Sequence, residues 1–164
     1  MVKRELNGKT CLLEMRNHGL DYKKRRGILR ENILLAKELW TKDEASFSGK
    51  HIQFESSWAW PKPTTKPHPP ILMGGAAGPK TAAHIAEFCD GWMPLGGMYD
   101  FEGGMKNVAD ACNAIGRDPS SLQISVFYGM GCPDADTIKK HADQGVKRVI
   151  CALPPQPADA ALPM

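Results

Sequence analysis

The chain has 164 residues, an apolar fraction of 42% and a charged fraction of 24%, which are ordinary values for a globular protein with one sizeable core. This composition excludes a disordered or fibrous chain. The formal net charge is only +3, and no apolar run is long enough to cross a membrane, so we predict a soluble, cytoplasmic protein.

The positive charge is concentrated in a basic cluster between Lys23 and Arg30. One interpretation is a surface that binds nucleic acid. Because the acidic residues Glu31, Glu38 and Asp43 follow closely, the solvated face of a helix is favoured instead. We therefore predict no nucleic acid and no membrane among the partners of this protein.

The five cysteines and five histidines show no spacing typical of a disulfide framework or a metal centre. An odd number of scattered cysteines is typical of a reducing cytoplasm, and we predict no metal site. His84 and His141 fall within predicted helices, where a surface or hydrogen-bonded structural role is favoured. The sequence has no G-x-S-x-G motif, which disfavours hydrolytic chemistry.

The first predicted element is a long amphipathic helix. Apolar residues recur at three- and four-residue steps from Tyr22 to Trp40, and Asp21 is a plausible N-cap. Residues 47–54 alternate weakly around Gly49, which predicts a small hairpin. The proline-rich stretch at 60–70 then predicts an extended surface connector, because proline removes backbone donors.

From Ile71 onward, short apolar strands alternate with helices. This order predicts a parallel sheet with right-handed crossovers. Four such strands form either a small open sheet or half of an eight-stranded barrel, because a complete barrel needs about 250 residues. The predicted strands are 71–73, 91–93, 124–128 and 149–153, and the predicted helices are 79–88, 101–115 and 134–144.

A glycine-rich turn, Gly74–Gly78, follows the first of these strands directly and leads into a helix that begins with Pro79. Glycines allow close approach of a ligand, and the N–H groups at a helix N-terminus favour an anion such as phosphate. Lys80 adds a positive charge. The spacing matches neither the G-x-G-x-x-G fingerprint nor a Walker loop, so a purely structural turn is the alternative.

Glycines also follow the next two strands, at Gly96-Gly97 and at Gly129 and Gly131. Ligands of parallel β/α folds bind at the carboxyl ends of the strands, so these glycines favour close approach of backbone and ligand along one edge. Asp90 precedes the second strand and is predicted to lie at the opposite edge.

Six segments in a fixed order carry a resemblance to a known family, the luciferase-like monooxygenases, and especially to its deazaflavin-dependent oxidoreductase branch. The resemblance runs from about Glu14 to Pro155. The segments are Arg16–Asp21, Leu39–Thr41, Phe47–Gly49, Trp60–Pro63, His68–Gly75 and Asp90–Pro94.

This resemblance implies an α/β fold, a TIM (β/α)8 barrel of which the chain supplies roughly the last four β/α units. It further implies one partial barrel domain over 1–164. Within that domain, the N-terminal helix region would cover 14–40, the proline-rich insertion 41–69 and the β/α repeats 70–155.

The resemblance also implies a flavin-type cofactor, FMN or coenzyme F-420, which passes hydride equivalents to a small-molecule substrate or, in the monooxygenases, to dioxygen. Gly74, Gly75, Ala77 and Gly78 would lie against the phosphate-bearing tail of this cofactor. The stretch 93–97 would border the ring and the substrate pocket.

The family's first four strands, which supply residues beside the reactive ring, have no counterpart in this sequence, so no catalytic residue is assigned. The chain is expected to be truncated at both ends. Two alternatives stay open. One is a non-catalytic half-barrel remnant that pairs as a homo-oligomer or with a partner N-terminal half, and the other is a β/α protein that binds another phosphorylated ligand.

Overall fold

The computed structural model of the protein describes residues 15–129 and 131–152. The chain divides after Pro69 into two compact units, 1–69 and 70–164. Within the described residues, no helix combines the length and the apolar character that a membrane crossing requires.

The first unit contains helix α1, Arg25–Thr41, which agrees with the predicted helix except at its beginning. A 3-10 turn, Tyr22–Lys24, precedes it. The Asp21 carboxylate accepts a hydrogen bond from the backbone N–H of Lys23 at 2.9 Å. Asp21 is therefore a cap, as predicted, but it caps the 3-10 turn rather than the α-helix.

The predicted hairpin is confirmed as strands β1, Ala45–Ser48, and β2, Gln53–Ser57, which pair antiparallel. Its turn is bound by the buried Glu31 carboxylate of α1, which accepts three successive backbone N–H groups at 3.0, 2.7 and 2.8 Å. The three donors are Lys50, His51 and Ile52.

The proline-rich stretch has no regular secondary structure, and residues 58–71 contain neither helix nor strand. The Trp60–Pro61 and Lys66–Pro67 peptide bonds are cis. Lys62 Nζ donates to the Leu39 carbonyl at 2.8 Å, which ties this stretch to the end of α1.

The second unit is a parallel sheet with helices between its strands, as predicted. Its strand order is β3-β4-β5-β6, so the four described strands form an open sheet. The predicted boundaries shift by no more than two residues, and position 153 of the last predicted strand lies outside the described residues. The elements are β3 Leu72–Gly74, α2 Pro79–Phe88, β4 Gly91–Met93, α3 Phe101–Ala114, β5 Gln123–Tyr128, α4 Ala135–Asp143 and β6 Arg148–Cys151.

The core of this unit is built around Trp92 of β4, which is fully buried. Its ring stacks on Phe101 at a centroid distance of 5.6 Å. A Cβ at Gly104 would come within 2.3 Å of the Trp92 ring, so only glycine lets α3 approach the sheet this closely. Burial of a large aromatic side chain of this kind is a major contribution to the stability of the unit.

Asp90 lies at the amino end of β4, as predicted. Its carboxylate accepts a hydrogen bond from the Ile71 N–H at 2.8 Å, which joins the entries of β3 and β4. The glycine-rich turn leaves the other end of β3, so Asp90 and the turn lie at opposite edges of the sheet.

Candidate functional site

The glycine-rich turn lies between the carboxyl end of β3 and the start of α2. Gly75 has a φ of +87°, a left-handed conformation that favours glycine. A Cβ at Gly75 or Gly78 would meet nothing within 4 Å, and at Gly74 only the Met93 carbonyl at 3.8 Å. Contacts within the protein therefore do not account for glycine at 74 and 78, and the space above the turn is open.

Two side chains hold the carbonyl groups of this turn. Trp92 Nε1 donates to the Gly75 carbonyl at 2.8 Å, and Asn107 Nδ2 donates to the Ala77 carbonyl at 2.9 Å. Because the C=O and N–H of a trans peptide point in opposite directions, the N–H groups of Ala76 and Gly78 point away from these donors. The turn is thus held in one orientation by residues distant in sequence.

The N-terminus of α2 differs from those of α3 and α4. Asp100 accepts from the Gly103 N–H at 2.9 Å, and Asp134 accepts from the Thr137 N–H at 2.8 Å, so each of these helices is capped by its own carboxylate. The N-cap of α2 is Gly78, which has no side chain to accept a hydrogen bond. The start of α2 therefore lacks the side-chain cap that α3 and α4 have, and the partial positive charge of a helix N-terminus favours an anion.

A cleft of about 300 Å³ opens beside this helix start, at the carboxyl ends of β3 and β4. Its volume matches the lower end of the range of small-molecule sites. Its walls come from the glycine-rich turn, the loop after β4 and the first two turns of α3. The lining residues are Ala76, Ala77, Gly78, Met98, Tyr99, Asp100, Gly103, Gly104 and Asn107.

The structure brings two of the four predicted site residues to the cleft, Ala77 and Gly78. Gly74 and Gly75 lie in the same turn but outside the lining, and Ala77 is buried with 4% exposure. Lys80 is exposed and does not line the cleft.

Sequence reasoning missed the residues that α3 contributes, above all Asn107, because its hydrogen bond to Ala77 spans 30 positions. The predicted ring-side stretch 93–97 stops just short of Met98, which does line the cleft. Aspartate directly before a helix is a typical N-cap, so the capping role of Asp100 was predictable from the sequence. That Asp100 also lines the cleft depends on how α2 and α3 pack.

Three of the other glycines at this edge, Gly96, Gly97 and Gly131, have reasons internal to the protein. A Cβ at Gly96 would come within 2.4 Å of the Tyr128 ring, so glycine is required there by packing. Gly97 and Gly131 have φ values of +73° and +83°. Close approach of a ligand is therefore not needed to explain Gly96, Gly97 or Gly131.

His141 is buried and hydrogen-bonded at one ring nitrogen, as expected of a structural role. The residue is 8% exposed, its Nε2 lies 2.8 Å from the Tyr128 hydroxyl, and its buried Nδ1 has no hydrogen-bond partner among the described residues. Burial raises the pKa of Tyr128, and the nearby Asp134 and Cys151 raise it further. Among the described residues, no group of three or more His, Cys, Asp or Glu side chains is placed to hold a metal ion.

Comparison with known proteins decides the family. The family model for luciferase-like monooxygenases matches residues 12–142. The chain belongs to the luciferase-like monooxygenase family. This confirms the resemblance that the six sequence segments indicated.

Two relatives of this luciferase-like chain are proteins of Mycobacterium tuberculosis. It is 35% identical over 150 residues to "Uncharacterized protein Rv0953c", a match that covers 90% of this chain and 51% of the relative. It is 28% identical over 102 residues to an F420-dependent hydroxymycolic acid dehydrogenase, covering 62% of this chain and 28% of that enzyme. The chain thus spans about half the length of curated relatives such as Rv0953c.

Two solved structures share the fold of this chain. The crystal structure of the monooxygenase RslO1 from Streptomyces bottropensis has a TM-score of 0.60 and 21% identity, over 80% of this chain and 41% of that one. An F420-dependent secondary alcohol dehydrogenase in complex with an F420-acetone adduct has a TM-score of 0.54 and 20% identity. The match covers 70% of this chain and 35% of that one. The proteins named here by activity are oxidoreductases.

Proposed function

We propose that this chain is part of an oxidoreductase that uses a deazaflavin or flavin, and that the N-terminus of α2 holds the phosphate-bearing tail of that cofactor. The observation that carries the proposal is the α2 N-cap at Gly78, which has no side-chain hydrogen bond and lies on a cleft of about 300 Å³. Coenzyme F-420 is the first candidate, because two of the relatives are named as F420-dependent, and FMN is the second.

The residues present fit an anionic tail. Gly74 and Gly78 leave open space above the turn, and Trp92 and Asn107 hold its carbonyls so that they do not face an anion. Asp100 is already bound to the Gly103 N–H at the start of α3, so we place the anion at α2 rather than at α3. The wall of the cofactor site beside the start of α2 would be formed by Gly74, Gly75, Ala77 and Gly78.

The cofactor would supply hydride transfer, and this chain would supply binding and orientation. Phosphate oxygens accept hydrogen bonds from backbone N–H groups at a helix start, and the helix dipole favours their negative charge. An anchor at this helix start would orient the cofactor at the carboxyl ends of the strands. We further propose that the four parallel strands are the last four of a TIM barrel, in which ligands bind at this edge.

Titration of the chain with coenzyme F-420 and with FMN, followed by fluorescence, tests the proposal. We expect saturable binding of at least one of them, weakened by added inorganic phosphate that competes for the α2 N-terminus. If the chain is folded by circular dichroism and binds neither, the proposal is wrong for this chain on its own.

Substitutions at Gly78 test the position of the anion. Gly78 has φ −68° and ψ 169°, and Asp134 has φ −68° and ψ 166° in the same N-cap position, so aspartate fits at 78 without strain. Gly78→Asp should cap α2 and raise stability by a few tenths of a kcal/mol. Its negative charge should also weaken cofactor binding about tenfold or more.

Gly78→Asn is the matched control, because asparagine caps a helix equally well and adds no charge. We expect it to stabilise α2 with a smaller loss of affinity than Gly78→Asp. Equal affinities for the wild type and Gly78→Asp would place the anion elsewhere.

A second candidate keeps the anion site and replaces the flavin with another phosphorylated ligand. The features at Gly78 and the cleft recognise phosphate and do not select a ring system. Sugar phosphates in the same titration separate the two candidates: tight binding of a sugar phosphate, with none of either flavin, would favour the second.

A further inference from the structure

The Trp92 side chain holds the glycine-rich turn, and two further rings support Trp92 itself. Trp92 Nε1 donates to the Gly75 carbonyl at 2.8 Å. The Trp92 ring stacks on the Phe101 ring with an interplanar angle of 10° and a centroid distance of 5.6 Å. The Phe101 ring in turn meets the His141 ring in an edge-on arrangement at 5.2 Å. Three rings therefore connect His141 of α4 to the carbonyl group of Gly75.

The far end of this connection is fixed to the sheet. His141 Nε2 lies at hydrogen-bond distance, 2.8 Å, from the hydroxyl of Tyr128, the last residue of β5. A Cβ at Gly96 would come within 2.4 Å of the Tyr128 ring, so the loop after β4 packs closely on this ring. The position of the His141 ring is therefore set by Tyr128 on one side and by Phe101 on the other.

Apolar packing alone does not explain histidine at position 141. The residue is buried, and its Nδ1 has no hydrogen-bond partner within the part of the chain that the structure describes. A buried polar atom of this kind destabilises a fold, and an apolar ring of similar size would avoid that cost. The contact of Nε2 with the Tyr128 hydroxyl, which an apolar ring lacks, is what distinguishes histidine here.

Phe101 also brings this connection to the candidate cleft. It is the first residue of α3, and the residue before it, Asp100, lines the cleft and caps the helix. Gly104, which follows on α3, lines the cleft as well and lies against the Trp92 ring. A displaced Phe101 ring would therefore affect both the Trp92 side chain that it stacks on and the wall of the cleft beside it.

We propose that His141 is a positioning residue for the glycine-rich turn. Its bond to Tyr128 and its edge contact keep the Phe101 ring in place. Phe101 in turn keeps the Trp92 ring stacked, and Trp92 Nε1 orients the Gly75 carbonyl. The consequence for ligand binding rests on the proposed function, in which the oriented turn presents its N–H groups to an anionic cofactor tail.

NMR of the Trp92 indole N–H in His141→Leu tests the connection without any ligand. Leucine removes both the edge contact with Phe101 and the bond to Tyr128. We expect the indole proton to change its chemical shift and to exchange with solvent several-fold faster than in the wild type, because its bond to the Gly75 carbonyl is less well held. The chemical shift is a property of the folded molecule, so lower stability by itself does not move it.

Two further variants make this test specific. Tyr128→Phe removes only the hydroxyl that binds His141, so it should move the Trp92 resonance in the same direction by a smaller amount. It also carries the test if His141→Leu fails to fold. Ile138→Ala is the matched control, because Ile138 lies on α4 with 43% exposure, and it should leave the Trp92 resonance at its wild-type position.

Titration with coenzyme F-420 and with FMN measures the consequence for binding. We expect His141→Leu to weaken binding about three- to tenfold, since it loses an aromatic contact and a hydrogen bond, and Ile138→Ala to bind like the wild type. If the wild type binds neither cofactor, the proposed function fails, whereas a moved Trp92 resonance in His141→Leu still supports the positioning role. That role is overturned by an unchanged Trp92 resonance in folded His141→Leu, by an equal change in Ile138→Ala, or by unchanged affinity in His141→Leu when the wild type binds a cofactor.

Discussion

The Glu31 carboxylate binds three consecutive backbone N–H groups of the β1–β2 turn, and it is 6% exposed. Burial raises the pKa of Glu31, but hydrogen bonds from His51, Ile52 and Lys50, together with the charge of His51, lower it overall. The charged form of Glu31 is therefore favoured by folding. One side chain of α1 thus fixes the position of the hairpin.

The lowered pKa of Glu31 predicts a stability that depends on pH. Because the folded-state pKa lies below the unfolded value of about 4.3, the contribution is complete above that pH and is lost as the pH falls through the folded pKa. Urea unfolding of wild type and Glu31→Gln, monitored from neutral pH to about pH 3, measures this. We expect Glu31→Gln to be less stable at neutral pH and the two curves to converge in acid.

Glu55→Gln is the control for Glu31, since Glu55 is exposed on β2. It should unfold like the wild type across the whole pH range. A difference between wild type and Glu31→Gln that stays constant down to the lowest pH would contradict the role assigned to the Glu31 charge. Asp118 and Asp134 also have lowered pKa values, because of hydrogen bonds from Ser120 and Thr137, and they contribute equally to both proteins.

At the scale of elements, the two ends of helix α2 differ. Its N-terminus has no side-chain cap, whereas carbonyl groups at its C-terminus accept hydrogen bonds from a side chain. The Arg117 guanidinium, which follows α3, donates from Nη1 to the carbonyls of Ile85, Ala86 and Cys89 at 3.4, 2.9 and 2.8 Å. A cation at a helix C-terminus pairs with the negative end of its dipole. Arg117 thereby fixes α2, and with it the helix start at Gly78.

Removal of this guanidinium should destabilise the second unit. Arg117→Met keeps the aliphatic part of the side chain and leaves the carbonyls without a charged donor, so we expect a loss of about 1.5 to 3 kcal/mol in the free energy of unfolding. The shift in the midpoint of urea unfolding measures this loss, provided that the dependence of the free energy on urea concentration is the same in both proteins.

Lys106→Met is the control for Arg117, because the Lys106–Asp110 ion pair on α3 is highly exposed, with side-chain exposures of 76% and 60%. Its loss should cost less than about 1 kcal/mol. If Arg117→Met is no more destabilising than Lys106→Met, the carbonyls of α2 find other partners and Arg117 does not fix the helix.

At the scale of the whole molecule, the second unit has a sheet of four described strands with β3 and β6 at its edges. Unpaired strand edges are templates for pairing with another chain. The chain also spans only about half the length of its curated relatives. We propose that the sheet edges are completed by a second copy of this chain or by a partner that supplies the N-terminal half.

Sedimentation velocity over a range of protein concentrations tests association with a second copy. We expect the sedimentation coefficient to rise with concentration in the wild type. Ile150→Lys places a charge in the edge strand β6 and should reduce association, provided that circular dichroism shows an unchanged fold. If the protein is a monomer at every concentration, a second copy does not complete the sheet edges. A partner that supplies the N-terminal half is then the remaining proposal.

Much of the secondary structure was predictable from sequence. Pro79 at the start of α2 and Gly116 and Gly145 just beyond α3 and α4 mark boundaries that the structure reproduces, with φ values of +72° and +82° at the two glycines. These signals act through backbone dihedral preferences within a few residues, and strand–helix alternation then selects a parallel sheet. The resemblance of six short segments indicated the family.

The tertiary structure alone decided which side chains meet. Asn107 reaches Ala77, and Arg117 reaches the end of α2. Neither pair has a local signature, because each depends on crossover geometry and helix packing. Periodicity and turn chemistry are encoded within a few residues, whereas a contact between distant residues exists only after the whole sheet is assembled.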